Sequence, residues 1–283
     1  MNNGILIISY KRIECKTWHI LKDAGYTGEL YIVADDKDDT DYEGRYGSEN
    51  VLRFSKEEYL KKTDTVDNFG KLNVATHARN FCLDFAKLVG WDCVCVLDDD
   101  LNDICYRCIS KERGKKEFKR VQIKDFNKVL DAYAKYALDA KLTMCSFFGA
   151  NRAIGGYNGG ELTHGGGVYY APTQAVIINM HELEFGYIGT IWSDYIFANR
   201  NNELGKVAFA AVPIFFSANE TAEKTQEGKN EGGLLDFYKQ TNKYVVESYV
   251  HIVFPTKLVW KDGGKTRYLL KTHPLIINEK WKK

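Results

Sequence analysis

No window of this sequence approaches the roughly 18 consecutive apolar residues of a membrane span, so the chain is expected not to enter a bilayer. Its opening residues, Met1-Asn2-Asn3-Gly4-Ile5, lack the basic n-region and apolar run of a secretory signal. Its seven cysteines (Cys15, Cys82, Cys93, Cys95, Cys105, Cys108 and Cys145) cannot all pair within one chain, and several sit in apolar segments. Free thiols in a reducing cytoplasm are the simplest reading. No second Cys or His pair accompanies Cys105-x-x-Cys108, so a structural zinc site lacks its other half. Cys93 and Cys95 alternate with Val94 and Val96 and read as small apolar residues. There is no internal repeat and no linker, and one domain is expected over residues 1–283.

The chain also lacks net charge, at +1, but the balance is uneven. Residues 107–124 and 256–283 each carry about +6, leaving about −11 for the rest. Two readings stay open, solvated faces or a rim that binds a polyanion.

What is present begins with residues 91–100, Trp-Asp-Cys-Val-Cys-Val-Leu-Asp-Asp-Asp. A short apolar run reads as a buried strand, and it ends in three carboxylates. Like charges this close repel and are costly to bury unpaired. Acidic oxygens at a strand end suit Mg²⁺ or Mn²⁺, which often also hold a substrate phosphate. An acidic solvent-facing loop is the alternative.

Two more strand ends belong with it. Gly4 to Ser9 is a near-continuous apolar run followed by the polar Ser9-Tyr10-Lys11-Arg12. Leu30 to Ala34 ends in Asp35-Asp36, with an acidic loop expected through Ser48. Residues 14–24 and 73–89 read as helices, the second stopped by Gly90. This alternation predicts a parallel sheet, whose ligands bind at the carboxyl ends of the strands. Three strand ends then converge on one cleft. Further on, residues 125–140 read as an amphipathic helix and 143–148 as a strand. The Gly-rich stretch 149–167 reads as a functional loop or a mobile lid. Strands follow at 168–171 and 174–179, then a helix from Ser193, a β-rich run from Lys206 to Phe216, and a polar loop at 218–233.

In this order the motifs resemble those of glycosyltransferases with the GT-A fold. These are Ser9 to Arg12, Asp35-Asp36, Ala78-Arg79-Asn80, Asp98-Asp99-Asp100, Gly165-Gly166-Gly167 and Trp192-Ser193-Asp194. The likeness spans roughly residues 4–216, and its details are similar to the TET-associated and base J type enzymes that decorate hydroxymethylated pyrimidines in DNA. The resemblance implies a Rossmann-like, mostly parallel sheet flanked by helices. Residues 1–105 would form a nucleotide-binding half, 106–216 an acceptor half and 217–283 a C-terminal extension.

The resemblance also implies an activity and its residues. A metal-dependent, inverting enzyme would move a sugar from a UDP-sugar to modified DNA. Mn²⁺ or Mg²⁺ would be held by Asp100 and Asp98, with His251 favoured over His273 as a further ligand. Ser9, Tyr10, Lys11, Arg12, Asp35, Asp36, Arg79, Asn80, Asp98 and Asp99 would meet the nucleotide-sugar, while His164, Gly166, Gly167 and Trp192 would meet the acceptor. Asp194 would be the general base, although Ser193 replaces the more usual acid before it, and a helix-capping role is the alternative. Asp35 and Asp36 read either as a nucleoside contact or as a charged turn, and Arg79 either as a diphosphate contact or as the ion-pair partner of a nearby aspartate. Competing functions are transfer to a polysaccharide, lipid-linked sugar or protein, a metal-dependent nucleotidyltransferase, and a non-catalytic nucleotide-sugar or nucleic-acid binding module.

Overall fold

The structure, a computed structural model, describes residues 1–66, 70, 74–112, 115–149, 175–190, 193–203, 207–218, 257–262 and 265–269. The chain opens with β1 (Asn3–Ile8), α1 (Lys16–Asp23), β2 (Glu29–Asp35), α2 (Tyr42–Tyr46), β3 (Val51–Phe54), α3 (Lys56–Lys62), α4 (Ala75–Val89) and β4 (Cys93–Asp98). It continues with β5 (Leu101–Glu112), β6 (Lys115–Gln122), α5 (Phe126–Asp139), β7 (Leu142–Gly149), β8 (Ala175–Asn179), α6 (Ser193–Glu203) and β9 (Val207–Ala218). A separate hairpin pairs β10 (Lys257–Asp262) with β11 (Lys265–Leu269).

Nine strands form one sheet in the order β3-β2-β1-β4-β8-β7-β9-β5-β6. The first four are mutually parallel. Followed through their pairings, seven of the nine share one direction, and only β8 and β5 oppose it. The sheet is thus the expected mostly parallel one, uniformly parallel in the half that carries the three strand ends and mixed in the other. β9 links the two regions, because its register against β7 shifts between Phe147 and Phe148 and its far end pairs with β5. Such an irregularity bends a strand and re-aims it.

Alternation along the strands builds two cores. Ile5, Ile7, Cys93, Cys95 and Leu97 face α1 and α5, where Trp18, Leu21, Phe126 and Leu130 pack against them. Leu6, Ile8, Val94 and Val96 face the opposite layer, with Ala78, Cys82 and Leu83 of α4 and Phe197 of α6. The buried cysteines are packing groups, and burial pushes the Cys93 and Cys145 thiols up to about 12. Gly4 leaves room for Trp91, since a Cβ there would lie 2.2 Å from the indole ring. Gly90 caps α4 in the left-handed conformation at φ 73°, which glycine adopts without steric cost.

Two regions depart from the sequence reading. The segment after Asp36, expected as a loop, contains α2, whose first turn is capped by Asp41 accepting from the Gly44 N–H at 2.8 Å. β3 and α3 were not anticipated. β3 has four residues, of which only Phe54 is buried, too short to show a period. The basic segment 107–124 proves to be most of a β-hairpin, with lysines and arginines occupying strand positions that hydrophobic alternation would otherwise reveal. Cys105 and Cys108 stand three residues apart in β5, Cys105 buried and Cys108 exposed. An odd separation in a strand puts them on opposite faces, which removes the zinc reading.

Candidate active site at the carboxyl ends of the central strands

Register brings the predicted residues together. Ile8 lies opposite Val33 of β2 and opposite Asp98 of β4, so the residues following each strand meet at one sheet end. Ser9 is the centre of the first group. Its hydroxyl donates to Asp99 Oδ2 at 2.6 Å and lies 3.0 Å from the Tyr42 hydroxyl. Arg12 Nη1 donates to Asp99 Oδ1 at 2.7 Å and lies 3.1 Å from Asp100 Oδ2. Asp99 is thus turned inward and buried, a loop contact rather than an open ligand. The Ser9 side chain is likewise committed between Asp99 and Tyr42. Thr17 of α1 fixes the backbone of the triplet by donating from Oγ1 to the Asp98 carbonyl at 2.6 Å and accepting from the Leu101 N–H at 3.1 Å.

The second group surrounds the β2 end. Asp35 is buried and pairs with Lys56 Nζ at 3.3 Å, and the same ammonium stands 3.6 Å from the centre of the Tyr10 ring. Desolvation lowers the Lys56 pKa despite that partner. Asp35 Oδ1 accepts no hydrogen bond among the described residues. The exposed Asp36 carboxyl beside it is held above its ordinary value by desolvation first and then by Asp35. The Lys11 side chain is exposed, and its backbone, at φ 52°, donates to Asp38 Oδ2 at 2.7 Å.

Arg53 of β3 organises the loop between these groups. It bonds both oxygens of Glu43, at 2.7 and 2.6 Å, and the carbonyls of Asp35, Asp38 and Thr40. Sequence reasoning missed Thr17, Tyr42, Arg53 and Lys56. Tyr42 and Arg53 sit in elements too short to read, and no motif marks the other two.

The third group lies on the α4 side. Arg79 is buried and donates from Nη2 to Asp98 Oδ1 at 3.4 Å and from Nη1 to Ser193 Oγ at 3.5 Å. Asp98 and Asp194 both raise its pKa against the desolvation that lowers it. Of the two roles open for Arg79, the structure places it as the ion-pair partner of Asp98. Asn80, read as meeting the nucleotide-sugar or holding the backbone of the acidic loop, here holds the backbone of Tyr187, accepting from its N–H at 2.7 Å and donating to its carbonyl at 2.8 Å. A carboxamide has one acceptor and one donor group, and here both meet the same residue. Asp194 stands in the first turn of α6.

Burial raises Asp98 to about 7 and Asp99 to about 6, against the opposing pull of Arg79 and Arg12 respectively. The Asp98 side chain keeps 23% exposure, so hydration tempers the cost. Both pKa values are raised on folding, so their contribution to stability is complete below about pH 4 and is lost as pH rises through 6 to 7. In buffer with a chelator, the melting temperature is expected to drop by about 3–6 °C between pH 5.5 and 8, on the order of 1–2 kcal/mol. A melting temperature that rises across this window would contradict the assignment.

Among the described residues, no group of three or more His, Cys, Asp or Glu side chains converges as a ready metal cage. The donor set still fits a hard cation that keeps its waters and substrate phosphates. Asp98 is short of positive charge with one long contact to Arg79, and Asp100 is partly open beside it. His251, His164, Gly166, Gly167 and Trp192 lie outside the described residues, as do Gly165 and His273.

An α/β domain whose polar side chains gather at the carboxyl ends of parallel strands has the layout of nucleotide-binding enzymes. The chain belongs to the TET-associated glycosyltransferase family, whose family model matches residues 4–204, and it is accordingly a glycosyltransferase. Among solved structures, a protein from STIV is 11% identical and covers 78% of this chain and 86% of its own, with a TM-score of 0.41. A mycobacterial protein, also 11% identical, covers 96% of this chain and 84% of its own, with a TM-score of 0.47. No curated protein matches the chain. Among the described residues, no helix is long and apolar enough to cross a membrane.

Proposed function

We propose that this protein transfers a sugar from a UDP-sugar to a hydroxymethylated pyrimidine in DNA, with inversion and with Mn²⁺ or Mg²⁺ bound by Asp100 and Asp98. The observation that carries the reading is the link through Arg79, which joins the acidic strand end at Asp98 to Ser193, the residue before Asp194, in a chain of this family. The hydroxymethyl oxygen attacks the anomeric carbon while Asp194 takes its proton. The bond from that carbon to the diphosphate breaks, and its electron pair leaves with the nucleotide. A cation held by Asp98 and Asp100 would supply Lewis acidity and orientation to the leaving diphosphate. Tyr10, Lys11, Asp35 and Asp36 bound the nucleoside side of the cleft. Arg12 anchors Asp99 and Asp100 behind the phosphates. Attack from the face opposite the leaving group gives a β-linked product from an α-linked donor.

Mass spectrometry of nucleosides, after incubation of the protein with hydroxymethylated DNA and a panel of UDP-sugars, tests this directly. A mass increase by one hexose or pentose is expected. Asp194→Asn should lower the transfer rate by about 10²–10⁴ with donor affinity retained. Turnover accelerated by an oligosaccharide and not by modified DNA would remove the DNA acceptor. Pyrophosphate release from nucleoside triphosphates would indicate nucleotidyl transfer instead.

A further inference from the structure

The β5–β6 hairpin separates its charges by face. Pairing of β5 with β9 ends at Tyr106, so among the described residues 107–112 and 115–120 form a two-stranded ribbon beyond the sheet. In its register Arg107 stands opposite Arg120 and Lys111 opposite Lys116, with Ile109 opposite Phe118 between them. Alternate strand positions share a face, so one face carries these four cations and no acid. The other carries Lys119 and Lys115 with Glu117 and Glu112, a balanced set. Directly opposed like charges destabilise a strand pair, and here two such pairs share a face.

Protection of a sheet edge does not account for this arrangement. Edge lysines discourage strand addition, and beyond Tyr106 both strands of the ribbon are edges, but charge at any edge position serves that purpose and it does not call for gathering four cationic positions on one face. Of these groups Arg120 has a described environment, 3.9 Å from Asp103 and over the Phe215 ring. We propose that the cationic face of the β5–β6 ribbon is the surface that holds the backbone of acceptor duplex DNA, an occupant whose choice rests on the acceptor reading above. A two-stranded ribbon fits the major groove, and a duplex presents one negative charge per about 1.7 Å. β5 starts one residue after Asp100, so Arg107 and Lys111 stand about 20 and 34 Å along an extended strand from its start. The ribbon would thus grip DNA flanking the target and leave the base free to leave the stack, as modification within a duplex requires.

The test measures binding of a fluorescent duplex against salt concentration for the full chain, for Lys111→Gln/Lys116→Gln, and for Lys115→Gln/Lys119→Gln, which removes equal charge from the balanced face. The first double variant is expected to bind about tenfold more weakly, with a salt slope reduced by about 2. The second should change affinity less than about threefold, as the scatter of a rim charge allows. Melting temperature should not drop in the first variant, because a repelling pair is gone.

Absence of duplex binding by the full chain overturns the proposal, as do equal losses in the two variants. So does binding to phosphatidylserine vesicles that depends on Lys111 and Lys116 when duplex binding does not. Sugar transfer to hydroxymethylated duplex, assayed in parallel, separates the two readings. Transfer with unchanged affinity in Lys111→Gln/Lys116→Gln removes the ribbon alone. Ribbon-dependent binding without transfer supports the ribbon and removes the DNA acceptor.

Discussion

Asp100→Asn is expected to lower sugar transfer at least about a thousandfold, roughly 4 kcal/mol of transition-state stabilisation, while shifting the melting temperature by about 3 °C or less. The contrast follows from where Asp100 stands. Its side chain is 26% exposed, and its described ion pair is with Arg12, at 3.1 Å. A partly exposed pair contributes about 0–1 kcal/mol, and Arg12 keeps its shorter bond to Asp99 when Asp100 is neutralised. The fold therefore loses little. On the proposed reading the reaction would lose one of the two carboxylates assigned to hold a cation at the departing diphosphate.

Asp99→Asn should behave in the opposite sense. Asp99 is buried with Ser9 and Arg12 bonded to its two oxygens, while Arg12 is partly exposed and keeps Asp100, so the loss is that of charge-assisted hydrogen bonds, about 1.5–3 kcal/mol. Single-turnover transfer rates and thermal melts of the two variants decide the matter. An Asp100→Asn enzyme that keeps more than about a tenth of wild-type activity, well short of the loss a lost metal ligand implies, would end the metal-ligand assignment.

The half of the fold that carries the site was legible because its physics is local. The continuous apolar runs of β1, β2 and β4 are what strands buried on both faces require, and α4 carries its period and its glycine stop in sequence. The convergence of Ser9, Asp35 and Asp98 to Asp100 then follows from parallel pairing alone. What was not legible depends on partners distant in the chain. Lys56 is buried only because Asp35 and Tyr10 meet it, and nothing in Ser55-Lys56-Glu57 announces that. Arg53 makes five hydrogen bonds to a loop ten to eighteen residues earlier, from a strand of four residues. The roles within the triplet were equally hidden, since three identical side chains in a row differ only in which way the turn points them. Ser9 and Arg12 draw Asp99 inward, and that leaves Asp98 and Asp100 on the cleft side.

Arg79→Met should cost about 3–5 kcal/mol of stability, the range for breaking a buried ion pair, and about a hundredfold in transfer rate, as mispositioning alone can. Arg79 is 9% exposed, too enclosed to meet a diphosphate, and its guanidinium spans Asp98 and Ser193. It acts by holding the acidic strand end and the start of α6 in one geometry. Without it the Asp98 carboxyl, already raised to about 7 by burial, loses the charge that favours ionisation and rises further. The acid limb of the pH–rate profile should then move to higher pH, a displacement that loose packing alone would not produce. Asp98→Asn made on the Arg79→Met background supplies the decisive comparison, because removing both partners leaves no uncompensated buried charge. The double variant should recover stability relative to Arg79→Met yet stay inactive. If the two substitutions instead add in stability, and the pH profile of Arg79→Met keeps its wild-type position, Arg79 is a packing residue and the link between the triplet and Asp194 is broken.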